Sequence, residues 1–349
     1  MSDAGEKHEI LKAQTVLKDR FVIESLIATS HVSRMYKGKD LEEKKDVAIK
    51  ELLVEGFLNL AERKQAVEQF QFEADLLLKL THDNLPKFED YFSCNERKYL
   101  VMEYIYGEKL SEVVKKTQDF LREQQVIAWG LEVCDIFNYL HTRKPSPIIF
   151  RGLCPDNVIL TPEKKLKLID FGISKIFDPQ AKTLAVAKTA KMYYSPMEQY
   201  TTQTDERTDI YSLGATLYYL ITKTHPIDAI DRTINDLPLS LCRKFNPNIS
   251  PEFENIILKA MELSPNRRYE NIPAIRTALE ALRSEPEEMP EHVETKISEP
   301  VQTIKEIKEP VMDSQEQQEE PVNYTFIERI LNFLIDLLES WRKRLKKKK

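Results

Sequence analysis

Two short stretches hold the groups that could do chemistry. Residues 148–160 read I-I-F-R-G-L-C-P-D-N-V-I-L, and residues 168–172 read L-I-D-F-G. Asp170 in the second stretch and Asn157 in the first offer hard oxygen donors, the ligand type that Mg²⁺ prefers. The second stretch therefore has the character of a metal site resting on a phosphate. Farther up the chain, Lys50 ends the apolar run V-A-I-K as a point charge; its plainer reading is a solvated surface lysine. The first stretch is poor in groups that move protons. Gly152 has no side chain, and Asp156 is its only carboxylate. The four cysteines (Cys94, Cys134, Cys154, Cys242) are scattered without a CxxC, which suggests neither zinc nor a disulfide framework.

Elements must position these groups, and the chain is long enough to supply them. Its 349 residues could form one large domain or two ordinary ones, and 42% hydrophobic content allows a real core. The net charge of −6 argues against nucleic acid as the main partner. The N-terminus is too polar for a signal peptide, and no apolar run is long enough to span a bilayer, so a reducing, cytoplasmic setting is expected. The first hundred residues read as strands (F-V-I-E-S-L-I-A, V-S-R-M-Y-K-G-K-D, K-K-D-V-A-I-K-E-L-L, R-K-Y-L-V-M-E-Y-I) around one helix. In that helix Ala66, Phe70, Ala74, Leu77 and Leu78 recur at helical spacing between Leu60 and Leu80. After Gly107 the pattern turns helical, over 126–140, 209–222, 252–261 and 272–282. A small β-rich lobe with one helix, followed by a larger helical lobe, is the α+β architecture expected.

V-A-I-K at 47–50, F-R-G-L-C-P-D-N-V-I-L at 150–160, D-F-G at 170–172, Y-S-P-M-E-Q-Y at 194–200 and D-E-R-T-D-I-Y-S-L-G-A-T-L-Y-Y-L-I-T at 205–222 arrive in order. Together they resemble the eukaryotic-like (Hanks-type) serine/threonine protein kinases, and most closely bacterial members. The resemblance covers about residues 17–283 and implies a bilobal protein-kinase fold that uses ATP and Mg²⁺. It implies that Lys50 reaches the α/β-phosphates and pairs with Glu73, while Asp170 and Asn157 hold the metal. It puts the hinge at Glu103, Tyr104 and Ile105, with Met102 just inside. Met35, Ala48 and Ile159 would sandwich the base, although ordinary core packing is nearly as good a reading of those three. Glu198 and Arg268 resemble the family's structural ion pair, and Asp209 its helix anchor.

The departures from the family are as informative as the matches. The position of the proton-accepting Asp is Gly152, and that of the phosphoryl-binding Lys is Cys154. The threonine that bonds both in the family matches Lys191 here. Asp156 is the one neighbouring carboxylate that could substitute. Phe150 replaces a more usual His and can still fill an apolar spine. The family's G-x-G-x-x-G falls on Ala28, Ser30 and Ser33, so Cβ atoms stand where backbone should approach phosphate. Thr183 and Thr189 could accept phosphate, with Arg151 as receiver.

Beyond the domain, residues 284–322 carry twelve acidic and three basic residues and four Glu-Pro steps, the composition of a disordered linker. Residues 323–349 read as an amphipathic helix opened by Thr325 and Glu328 at capping-box spacing. Seven of its last eight residues are Lys or Arg. Such a segment suits an anionic membrane surface at the inner face of a membrane, or docking on the kinase lobe or a partner helix. Residues 1–16 read as an N-terminal extension. The expectation is a pseudokinase that binds ATP and Mg²⁺ weakly and acts on a protein partner or client kinase. A slow working kinase and a scaffold indifferent to nucleotide remain the alternatives.

Overall fold

The strands of the first hundred residues, rich in β-branched and aromatic residues, pair as one antiparallel sheet. The computed structural model describes residues 9–30, 32–54, 60–172, 174–176, 191–200 and 204–283. The sheet runs in the order β1-β2-β3-β4-β6-β5, from β1 (Val16–Leu17), β2 (Phe21–Thr29), β3 (Ser33–Asp40) and β4 (Lys45–Leu52) to β5 (Phe88–Cys94) and β6 (Arg97–Glu103). Phe21, Ile23, Tyr36, Val47, Ile49, Tyr99 and Val101 form a sealed cluster on one face. The period of two sends Ala48 and Lys50 to the other face, toward helix α1 (Leu60–Lys79). Phe70, Ala74 and Leu77 of α1 are buried as its spacing predicts, but Leu78 is 62% exposed. Leu77 already fills the inner face at that turn, and its neighbour points outward.

The sequence puts residues 1–16 outside the domain, whereas residues 9–16 belong to the small lobe. The Gln14 N–H donates to the Ile23 carbonyl (2.8 Å), the Ile23 N–H to the Thr15 carbonyl (2.9 Å), and Arg97 to the Glu9 carbonyl (3.3 Å).

Strand β7 (Glu108–Lys109) leads from the small lobe into α2 (Leu110–Lys116) and α3 (Glu123–His141). Four short strands follow: β8 (Ile148–Ile149), β9 (Val158–Leu160), β10 (Leu166–Leu168) and β11 (Lys175–Ile176). They are too short for a periodic signal, and they carry the stretches that opened the sequence. Helices α4 (Glu206–Thr222), α5 (Ala229–Ile234), α6 (Pro251–Ala260) and α7 (Ile272–Glu280) complete the larger lobe. Their starts are set locally. Asp205, Ser250 and Asn271 accept the N–H groups of Arg207, Phe253 and Ala274, and Pro follows the cap of α6 and α7. Every residue of α4 from Thr208 to Thr222 is buried, so this helix is the spine of the lobe.

The compact unit ends at Arg283. The expected linker at 284–322, the basic helix at 323–349, and Thr183 and Thr189 lie outside the described residues. Among the described residues, no helix is long and apolar enough to cross a membrane.

Candidate active site

Three charged groups meet where β4, α1 and the D-F-G turn converge. The Lys50 ammonium donates to both Glu73 carboxylate oxygens (2.8 and 2.9 Å) and to Asp170 Oδ1 (2.9 Å). The packing of Phe70, Ala74 and Leu77 sets the rotation of α1 that turns Glu73 inward, to 2% exposure. Burial opposes the charge on Lys50, but the two carboxylates outweigh it, so its pKa lies above the ordinary lysine range. Lys50 holds Asp170 below the usual carboxylate range, while burial pushes Glu73 up. Gly172 leaves room for the cluster. A Cβ there would stand 3.2 Å from Asp170 Oδ1 and 3.3 Å from Lys50 Nζ.

The loop at 150–157 is held from both sides. Buried Asp209 accepts the N–H groups of Phe150 (2.8 Å) and Arg151 (2.7 Å) and meets His141 Nε2 at 2.8 Å. Gln199 donates to the Arg151 carbonyl (3.0 Å), and Asn157 Nδ2 to the Gly152 carbonyl (2.7 Å). Phe150 meets Phe171 edge to face at 5.1 Å, so it does fill the apolar spine. Burial lowers the Arg151 pKa to about 10, with Asp209 working against that. Gly152 is therefore a fixed backbone position without a side chain. Asp156 is exposed and accepts a hydrogen bond from Ser111 of α2, which turns it away from position 152. Cys154 is 1% exposed, and burial pushes its thiol up to about 11, so it is neither a charge nor a nucleophile near neutral pH.

The structure gathers the remaining residues along β2, β3, β4 and the hinge. Ala48 pairs with Met102, and Met35 with Lys50, across the sheet. Met102 is buried, while Met35, Ala48, Glu103, Ile105 and Ile159 are half-buried. The Glu103 N–H donates to the Lys87 carbonyl (2.9 Å), and its carboxylate accepts from the Lys87 N–H (3.1 Å) and Lys167 (3.4 Å). Gly107, at φ +145°, lets the chain leaving the hinge lie on β9. A Cβ there would fall 2.3 Å from the Leu160 carbonyl oxygen and 2.7 Å from Ile159 Cγ2. Ala28 and Ser30 are exposed at the β2–β3 turn, and Ser33 is half-buried. Ser30 closes this turn on itself. Its hydroxyl oxygen accepts the N–H groups of Val32 (3.3 Å) and Ser33 (3.0 Å).

These residues fit a magnesium nucleotide in one part and less well in another. Asn157 Nδ2 is committed to the loop, which leaves Oδ1 as a ligand. Lys50 and the Gly172 N–H (3.4 Å) both meet Asp170 Oδ1, which leaves Oδ2 for a cation. In the turn, by contrast, two N–H groups that could face phosphate are already satisfied by Ser30.

Residues 21–282 match the family described as the protein kinase domain. The chain belongs to that family. A probable serine/threonine-protein kinase of Clostridium perfringens is 30% identical over 284 residues, covering 78% of this chain and 39% of that protein. Serine/threonine-protein kinase PknB of Mycobacterium leprae is 28% identical over 293 residues, covering 78% of this chain and 45% of that protein. The chain thus spans less than half the length of these curated relatives. Among solved structures, the kinase domain of Mycobacterium tuberculosis PknI superposes with a TM-score of 0.62 at 19% identity, covering 78% of this chain and 98% of that one. At that identity the likeness is one of fold.

The kinase domain also keeps the structural residues expected of it. Arg268 forks onto Glu198 (2.5 and 3.1 Å), and Asp209 anchors the loop. Three residues that hold the site are assigned no role by the sequence. Ser111 and Gln199 lie 45 and 48 residues from the loop residues they meet, and His141 acts on the loop through Asp209, 68 residues away, so no local pattern gives their contacts.

Proposed function

We propose that this kinase domain binds Mg²⁺ and ATP weakly and has lost efficient phosphoryl transfer, acting as a pseudokinase whose nucleotide state governs a protein partner or client kinase. One observation carries the reading: the loop backbone at 150–152 is held by Asp209, Gln199 and Asn157 in an ordered arrangement, and position 152 carries no carboxylate. Asp156, the alternative base, is engaged by Ser111. Bound nucleotide supplies the phosphates and Mg²⁺ their charge neutralisation. Lys50 would orient the phosphates, Asp170 and Asn157 would hold the cation, and Met35, Ala48 and Ile159 would enclose the base. The turn at Ala28, Ser30 and Ser33 supports weakened affinity.

A slow working kinase is the second reading, favoured by the closed Lys50–Glu73–Asp170 array. Phosphoryl transfer leans on positioning and charge, and general-base help is worth only about 10²–10⁴-fold. The test is thermal unfolding of the full chain titrated with ATP, with and without Mg²⁺, beside a phosphate-incorporation assay. Ligand at 100 times its Kd should add about 2.7 kcal/mol of stability. A Mg²⁺-dependent rise without incorporation is expected. Incorporation that vanishes in Asp170→Asn would refute the pseudokinase reading, and a flat titration would leave a nucleotide-indifferent scaffold.

Residues 323–349 are proposed as a peripheral anchor on anionic membrane. The apolar arc of Ile327, Ile330, Leu331, Leu334, Leu338, Trp341 and Leu345 and the terminal Lys/Arg run support this. Deleting 323–349 from the full chain should abolish binding to vesicles rich in anionic lipid. Unchanged binding would assign any membrane contact elsewhere.

A further inference from the structure

The chain leaving the hinge is fixed at two successive residues, once to each wall of the proposed base slot. At Gly107 it lies so close on β9 that a Cβ would fall 2.7 Å from Ile159 Cγ2, and β7 pairs there with β9, Glu108 with Leu160 and Lys109 with Ile159. One residue earlier, the Tyr106 hydroxyl donates to Asp46 Oδ2 on β4. Asp46 precedes Ala48 by two residues, so the period of two puts both on the same face of the sheet. The wall that carries Ala48 and the wall that carries Ile159 are thus joined through Tyr106 and Gly107.

Asp46 is itself held in place. Its Oδ2 also accepts from the Lys37 ammonium of β3 (2.8 Å), which meets Glu24 of β2 as well (3.2 Å). Lys37 lies opposite Ala48 in the β3–β4 register, and its ammonium stands 5.2 Å from the centre of the Tyr104 ring and 5.7 Å from that of Tyr106. The two rings meet edge to face at 4.9 Å. Residues of β2, β3 and β4 therefore form one chain of contacts that ends on the Tyr106 hydroxyl. The Lys37 and Asp46 side chains are only 26% and 16% exposed, so this network is not an isolated pair in open water.

We propose that Tyr106 is a positioning residue for nucleotide binding: its bond to Asp46 fixes the spacing between Ala48 and Ile159, so that the slot for the base is set before the base arrives. The inference rests on the nucleotide-binding reading above and deepens it. Lys50, Asp170 and Asn157 serve the phosphates and the cation, whereas this clasp acts on the base end alone. Ligands with and without phosphates therefore feel it equally.

The experiment is calorimetric measurement of Kd for Mg-ATP and for adenosine on the full chain, its Tyr106→Phe and Asp46→Ala variants, and the double variant. Tyr106→Phe keeps the ring on Tyr104 and removes only the hydroxyl of an exposed residue, so its melting temperature should match wild type. It should weaken adenosine and Mg-ATP by the same factor, about 3- to 10-fold. Asp46→Ala should weaken both ligands at least as much, and the double variant should be no weaker than Asp46→Ala, because both substitutions remove the same contact. Unchanged affinity in Tyr106→Phe, a loss confined to Mg-ATP, or losses that add in the double variant each overturn this inference and leave the nucleotide-binding reading standing. Wild type that binds Mg-ATP but not adenosine overturns it too, since the base slot then supplies no affinity. Wild type that binds neither ligand overturns both.

Discussion

Replacing Gly152 by Asp tests whether a single absent side chain is what separates this domain from a working kinase. The backbone is ready for the change. Among the described glycines only Gly107 has positive φ, so an L side chain at 152 meets no left-handed strain. The Gly152 carbonyl is held by Asn157 (2.7 Å), and the preceding N–H by Asp209 (2.7 Å), so a carboxylate added there inherits a fixed position. Losing glycine's freedom in the unfolded chain adds about 0.4–1 kcal/mol of stability. Placing a second carboxylate near Asp170 works against that. General-base catalysis contributes about 10²–10⁴-fold, equivalent to roughly 3–5 kcal/mol of barrier at 1.36 kcal/mol per tenfold. With Cys154 still in place, the lower end, about 10²-fold, is the expected gain. The assay is incorporation of labelled phosphate into a generic basic protein and into the chain itself, with Gly152→Asn as the isosteric control without a base. A rise in Gly152→Asp alone supports the reasoning. If Gly152→Asp binds Mg-ATP as wild type does but transfers no faster than Gly152→Asn, the missing base is not what limits the site.

Ser30→Gly should release the Val32 and Ser33 N–H groups from the turn and tighten Mg-ATP binding several-fold in calorimetry; unchanged affinity would mean that those groups do not meet phosphate. Asp209→Ala strands the Phe150 and Arg151 N–H groups and His141 together, and should cost about 3–5 kcal/mol in denaturant unfolding; a loss under about 1 kcal/mol would refute its anchoring role. His141 predicts a pH dependence. Burial lowers its pKa, but the hydrogen bond to Asp209 (2.8 Å) and the Glu206 carboxylate 3.7 Å from Nδ1 outweigh that and raise it to about 9. A folded pKa above the unfolded value of about 6.5 means the stabilisation is complete below that pH and fades as pH rises through the folded value. Stability should therefore fall between about pH 6.5 and pH 9.5 by an amount on the order of 3 kcal/mol, and His141→Gln should flatten the slope. An equal slope in both proteins would refute it.

The lobes were legible in the sequence because local periodicity writes them. β2, β3, β4 and β6 have strand composition, and α1, α3, α6 and α7 repeat at helical spacing because each buries one face, whereas α4 is buried all round. The rotation of α1 was readable to within one residue: Phe70, Ala74 and Leu77 turn inward, and Leu78 outward. Strands β7 to β11, with two or three residues each, were not, because no pattern can repeat in so short a span. Their pairing depends on partners brought from elsewhere, such as β9 lying on the chain that leaves the hinge past Gly107.

For the site, the sequence by itself determined the inventory: Lys50, Glu73, Asn157 and Asp170 at their motif positions, Gly152 and Cys154 where chemistry would be expected, and serines in place of glycines. Residue identity is a local property, and a missing side chain is visible without coordinates. Only the tertiary structure decided what these residues touch. Lys50 meets Asp170 as well as Glu73, Asp156 turns to Ser111, and Ser30 closes its own turn. Each of these is a contact or a field acting across tens of residues of chain, or a choice among rotamers. Packing makes that choice, because a charge in water and the same charge half-buried beside another are different chemical groups.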